Sequence, residues 1–192
     1  MPRLILASGS RYRKAQLEQL RVPFEAIESM VDEDVRKAAM TSPRELALTL
    51  ASDKARAVGQ NYPDAIVIGG DQLVSFEGEV LGKPGTTENA VEQLLRMSGK
   101  PHDLITAIAI LHKGEIRTHV DETRLWMRPL DRESAERYVL ADHPVDCAGA
   151  YKIESLGIAL FEKIESHDHT AITGLPLMAI TRLLREQGIT IP

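Results

Sequence analysis

A chain of 192 residues, 43% apolar and 27% charged, has ordinary globular composition and is long enough to bury a sizeable core as one domain or two intimate lobes. Its net charge of -5 argues against a broad nucleic-acid footprint, and only a local basic pocket is compatible with it. A single cysteine, Cys147, excludes an intrachain disulfide and makes a reducing cytosol the default compartment, while no apolar run reaches spanning length and Arg3 leads into a strand rather than a signal-peptide core.

Leu4 to Ala7 reads as a short buried strand, and Ser10 as the N-cap of a helix whose apolar side carries Leu17 and Leu20. Ser42-Pro43-Arg44-Glu45 signals a second helix, with a capping serine, a proline at the first helical position and a capping-box glutamate ahead of ELALTLASDKARAV. AIVIGG predicts a buried strand that ends at Asp71, and QLVSFEGEVLGKP a hairpin turning near Glu77-Gly78. Thr87 is placed as the cap of ENAVEQLLRMSG, which closes at Gly99. DLITAIAILHKGEIRTHVDETRLWM reads as two long strands joined at Lys113-Gly114, and Asp131 caps RESAERYVL. The glycine-bearing loop HPVDCAGAYKIESLG precedes a strand, IALFEKI, and the last helix opens at Gly174-Leu175-Pro176 and closes at Gly188. Helices and strands alternate with hairpins among them, so an α/β fold on a mixed sheet is expected, as a single domain over residues 1–192 without a linker.

Five places could carry chemistry. In ASGSRYR, a strand, a small-residue turn and a helix N-terminus bring free N–H groups, serine hydroxyls and the positive dipole end together, which suits an anion. Arg13 and Lys14 in the first helical turn oppose the dipole, and a phosphate ligand would account for them; an ordinary strand-to-helix turn with solvated bases is the alternative. Ala47, Leu50, Ala51, Lys54 and Val58 share one helical face, so Lys54 sits inside an apolar stripe with its stem covered, whether for function or as a snorkelling side chain. Asp71, at the end of an apolar strand, is a candidate metal ligand or base, with a plain turn aspartate as the rival reading. Lys83, held between Gly82 and Pro84, could present a cation, and Glu33 in the acidic VDED loop could supply a second metal carboxylate. HDHT, residues 167–170, lacks a partner motif with zinc spacing and is read as a polar loop; Cys147 is read as small and half-buried.

These pieces in this order resemble the Maf family, the septum-formation-inhibitor-like nucleoside triphosphate pyrophosphatases. The resemblance spans nearly the whole chain, through LILASGSRYRKAQLEQL, VDED, ASDKARAV, GGDQLV, GEVLGKP, TENAVEQLLRMSGKPHDLITAIAI, DCAGAYKIESLG and ITGLPL. It implies an elongated mixed sheet flanked by helices, in two lobes with a central nucleotide cleft, related to the inosine-triphosphate pyrophosphatases, and a possible homodimer. It also implies a cytoplasmic enzyme with a small-molecule nucleotide substrate and a divalent cation, Mg2+ or Mn2+, and no membrane or nucleic-acid partner. Position by position, Ser8 and Arg13 would meet the triphosphate, Lys54 and Lys83 would join them, Glu33 would help with the metal, and Asp71 would be the proton acceptor.

Three positions depart from the common family pattern. Where the family usually has Pro-Arg-Arg after its serine, this chain has Arg11-Tyr12-Arg13; Gly69-Gly70-Asp71-Gln72 replaces Gly-Ala-Asp-Thr; and Glu154 stands where the uridine- and thymidine-nucleotide branch has glutamine. Tyr12, Gln72 and Glu154 together resemble the branch that acts on 7-methyl-GTP. An aromatic face suits a cationic methylated guanine, and one carboxylate can accept both guanine donors. The alternatives are a pyrophosphatase for UTP, dTTP and CTP, or a nucleotide-responsive inhibitor of septum formation.

Overall fold

The computed structural model describes residues 2–40 and 42–191, without the side chains of residues 37–39. Seven strands form one sheet in the order β2-β1-β3-β5-β6-β7, with β4 also paired to β3. They are β1 (Leu4–Ala7), β2 (Glu25–Ala26), β3 (Ile66–Phe76), β4 (Glu79–Leu81), β5 (Pro101–His112), β6 (Glu115–Met127) and β7 (Phe161–Glu165). The helices are α1 (Arg11–Glu18), α2 (Asp34–Ala39), α3 (Pro43–Gly59), α4 (Thr87–Met97), α5 (Arg132–Asp142) and α6 (Leu177–Glu186). β1 runs parallel to both β2 and β3, whereas β3–β4 and β6–β7 are antiparallel, so the sheet is mixed as expected. No helix among the described residues is long and apolar enough to cross a membrane.

The chain divides into two compact units. The first comprises Met1–Gln72, Thr106–Asp121 and Asp168–Pro192. Within it the period of two along the strands sends side chains to opposite faces. Leu4 and Leu6 of β1, Ile66 and Ile68 of β3, and Ile108 and Ile110 of β5 join Ile180, Leu183 and Leu184 of α6 in one buried cluster. Helix α3 covers the other face with Ala47, Leu50, Ala51 and Ala55, each fully buried. Ser42 caps α3 by accepting the Glu45 N–H, and Pro43 stands at its start.

The second unit comprises Leu73–Ile105 and Glu122–His167. Its helices α4 and α5 are capped by Thr86 and Asp131, which accept the N–H groups of Asn89 and Ser134. Arg132 of α5 reaches Glu88 and Glu92 of α4. His102, Tyr151 and Phe161 form an aromatic cluster with His102 Nε2 3.1 Å from Tyr151 Oη. Burial lowers the His102 imidazole to about 4, so it is neutral at physiological pH.

Three boundaries differ from the sequence reading. The cap of α4 is Thr86 rather than Thr87. Ile158 to Leu160 belong to a short 3-10 turn, Leu156–Leu160, and β7 begins only at Phe161. The strand expected to stop at Asp71 instead runs on to Phe76, so Asp71 lies in mid-strand. Gly69-Gly70 is not a turn. A Cβ on Gly69 would stand 2.1 Å from the Ala51 carbonyl oxygen and 2.7 Å from the Ala55 nitrogen. The glycine lets α3 lie directly on β3.

Two variants separate these adjacent glycines. Gly69→Ala should lower stability in urea unfolding by about 1–3 kcal/mol through overpacking against α3. Gly70→Ala, whose added Cβ would meet Leu175 at an ordinary 3.4 Å, should cost less. Equal losses for the two would contradict the close-approach role.

Candidate active site

The parallel register Ala7↔Gly69 sets the end of β1 beside the middle of β3. Ser8 follows at once, almost fully buried, and its Oγ accepts the Ser10 N–H at 3.1 Å. Ser10 Oγ in turn accepts the Arg13 N–H at 3.4 Å and starts α1. Both serine oxygens therefore organise the chain's own N-terminal turn.

Asp71 projects from the α3 face of β3, as the alternation from Val67 through Gly69 requires. Lys54, one turn beyond Leu50 and Ala51 on α3, meets it there: Lys54 Nζ donates to Asp71 Oδ1 at 2.7 Å. The same ammonium lies 2.7 Å from Glu33 Oε1. The side chains of Lys54 and Asp71 are only 11% and 6% exposed, whereas that of Glu33 is 35% exposed. Asp71 Oδ2 is buried and has no hydrogen-bond partner among the described residues. Burial pushes the Asp71 carboxyl above its ordinary value, against the opposing pull of Lys54 and Arg13 and with a small further push from Glu33. Desolvation likewise lowers the Arg13 guanidinium, which feels Asp71 and Glu33 as its counter-charges. Three expected residues, Lys54, Asp71 and Glu33, thus converge in direct contact, and Arg13 lies within their field.

The opposite face of β3 carries a second set of contacts. Gln72 Nε2 donates to Thr106 Oγ1 (2.9 Å), Ala171 O (2.9 Å) and Ile172 O (3.1 Å). Thr106 Oγ1 donates to the same Ala171 oxygen at 3.0 Å. From α1, Arg13 Nε donates to Gly174 O at 3.2 Å and Gln16 Nε2 to Thr170 O at 2.6 Å. Asp168, nearly fully buried, accepts from Thr170 N–H, Thr170 Oγ1 and Met178 N–H. The segment 168–178 is therefore held by side chains from α1, β3 and β5. Asp168 and Thr170 tie HDHT into this framework; among the described residues there is no group of three or more His, Cys, Asp or Glu side chains placed to hold a metal ion.

Gln16 and Thr106 had no sequence signal beyond being polar residues next to apolar ones, and Asp168 was read only as part of the polar loop HDHT. The remaining expected residues are placed as follows. Tyr12, half-buried on α1, has the Arg11 guanidinium 4.8 Å from its ring centre and accepts a hydrogen bond from it at 2.7 Å. Lys83 and Glu154 belong to the second unit, where both are exposed. Cys147 is half-buried as read, and burial pushes its thiol up to about 12, which leaves no thiolate for nucleophilic chemistry.

Fold and charged centre together define a class: a mixed-sheet α/β protein built around a buried carboxylate–lysine pair beside an arginine-bearing strand-to-helix turn. The chain belongs to the Maf-like protein family, whose description matches residues 3–187. It is 48% identical over 97% of both chains to a protein of Bdellovibrio bacteriovorus named 7-methyl-GTP pyrophosphatase. Proteins with the same name from Xanthomonas campestris and Pseudomonas aeruginosa are 45% and 42% identical over the full length of both chains. In three dimensions the fold is shared with a HAM1 protein from Coxiella burnetii, at a TM-score of 0.52 and 14% identity, covering 97% of this chain and 100% of that one.

A carboxyl whose folded pKa is raised stabilises the fold below its unfolded pKa, and that contribution is lost as pH rises through the folded value. Ionised Asp71 is thus a cost to stability at neutral pH. Asp71→Asn should therefore gain most in melting temperature relative to wild type near pH 7, and the difference should close as the pH falls towards 4. A difference that widened on acidification would contradict the burial-dominated shift.

Proposed function

We propose that this protein is a nucleoside triphosphate pyrophosphatase that hydrolyses 7-methyl-GTP to 7-methyl-GMP and pyrophosphate, and so removes a modified nucleotide. The observation that carries the reading is Asp71, with one oxygen held by Lys54 and the other buried and unpartnered among the described residues. The name shared by relatives at 42–48% identity supports the choice of substrate.

Asp71 Oδ2 is the available acceptor for a proton from the water that adds across the α–β phosphoanhydride. Its raised pKa makes it a stronger base than an ordinary carboxylate, and the Lys54 bond to Oδ1 fixes its orientation. Charge accumulates on the departing pyrophosphate, and Arg13, Lys54 and Lys83 are the cations assigned to it, with Ser8 at the turn. Asp71 and Glu33 are the residues that would hold a divalent cation such as Mg2+ or Mn2+, because both are hard oxygen donors. Bound there, such an ion would neutralise phosphate charge. Tyr12 and Glu154 are assigned to the base, the ring by stacking and cation–π attraction and the carboxylate by accepting the two guanine donors. Gln72, its amide nitrogen committed to the 171–172 carbonyls, contributes by holding that segment.

A panel of common and methylated triphosphates tests the reading. The wild-type protein should release pyrophosphate and 7-methyl-GMP fastest from 7-methyl-GTP, and chelation should stop it. Asp71→Asn should lose roughly a hundredfold to ten-thousandfold in kcat while remaining folded. Glu154→Gln should shift preference towards UTP and dTTP. Faster turnover of UTP or dTTP by the wild type, or near-normal Asp71→Asn activity, would overturn it.

A further inference from the structure

We infer that Lys152 is a positioning residue for base recognition, acting through Glu154; the inference rests on the substrate reading above. Glu154 is exposed at the crest of a tight turn. The N–H groups of Ser155 and Gly157 both donate to Lys152 O, at 3.1 and 3.0 Å, and close that turn. A Cβ on Gly157 would lie 2.3 Å from the same oxygen, so only glycine allows the closure.

Lys152 also fastens the base of the turn to α5 from both of its ends. Its backbone N–H donates to Tyr138 Oη at 2.9 Å. Its ammonium donates to the Asp142 and His143 carbonyls at 2.9 and 3.0 Å, where α5 ends in a left-handed residue, His143 with φ +46°. These are terminal helical carbonyls without intrahelical partners, and a cation is favoured there by the helix dipole. The side chain of Lys152 is only 14% exposed, and Asp146 is a more distant counter-charge at 3.8 Å. Beyond Glu154, Ser155 Oγ donates to Asp142 Oδ1 at 2.6 Å. Before Lys152, the buried Tyr151 ring packs edge-on against Phe161 and bonds His102.

Glu154 therefore has an anchored residue on either side. A carboxylate must accept two parallel donors from a planar base edge, and this needs its Cα held in place rather than extra charge. Lys152 lies too deep to serve as one more exposed phosphate cation. The three hydrogen bonds that it donates go to α5 and its cap residue His143, and its carbonyl closes the turn, so its effect on substrate passes through the turn.

The test measures steady-state kinetics with 7-methyl-GTP, and inhibition by inorganic tripolyphosphate, which has the phosphates but no base. Lys152→Met should raise KM for 7-methyl-GTP by roughly ten- to a hundredfold with a much smaller change in kcat, and leave tripolyphosphate inhibition as it was. Lys152→Arg, which can still donate to two carbonyls, should restore most of the loss. Should Lys152→Met fail to fold, Ser155→Ala removes one bond of the same anchor and should raise KM in the same direction by less. Unchanged KM in Lys152→Met, or in Ser155→Ala where that variant replaces it, alongside a clear defect in Glu154→Gln, overturns this inference and spares the substrate reading. Equal weakening of tripolyphosphate and nucleotide would make Lys152 a phosphate ligand and overturn it too. No effect of Glu154→Gln on base preference would overturn both.

Discussion

The contact between Lys54 and Asp71 is the constraint around which the first unit is organised. Two ions are held 2.7 Å apart with little access to water. Desolvating such a pair costs several kcal/mol per ion, offset only if geometry and further polar contacts are good. The supporting arrangement is correspondingly specific. Gly69 lets α3 lie against β3, Lys54 is buried along with the alanines and leucine of α3, and Glu33 supplies a second carboxylate to the ammonium. A pair of this kind stabilises a fold poorly. What it secures is a carboxylate of fixed orientation and raised basicity, with one oxygen left over.

Helix signals were legible because they are local. Ser42-Pro43-Arg44-Glu45 and Asp131 act within one helical turn, and their oxygens accept the N–H groups three residues on. The extent of β3 was hidden for the opposite reason. In a sequence, paired glycines after an apolar run read as a turn. Their reason for being here is the backbone of Ala51 and Ala55, which no window around residue 70 contains. The 3-10 turn before β7 was hidden likewise, because Ile158 and Leu160 satisfy an apolar strand pattern whatever their hydrogen bonding.

The charged centre was partly legible. Lys54 stood out as a cation inside an apolar stripe, Asp71 as a carboxylate at the end of an apolar run, and the order of motifs tied both to the Maf family, which also singled out Glu33. That Lys54 binds both carboxylates directly was beyond the reach of spacing. The clamp on residues 168–178 was not visible at all. Gln16 bonds a carbonyl 154 residues away and Gln72 carbonyls 99 and 100 residues away. Glutamines on otherwise apolar faces carry no indication of such partners. Tyr12 and Glu154 were singled out by departures from the family pattern, which say nothing of the surrounding contacts, such as those that Lys152 makes with α5.

The most direct measurement of the central pair is a carbon-13 NMR titration of the aspartate carboxyls, with the Asp71 resonance assigned by its loss in Asp71→Asn. Asp71 should titrate above the ordinary carboxylate range in the wild type. Lys54→Gln should move it higher still, because the cation that favours the ionised form is gone. An Asp71 carboxyl that titrates at or below the ordinary range, or that does not move when Lys54 is removed, would contradict a buried, lysine-held base.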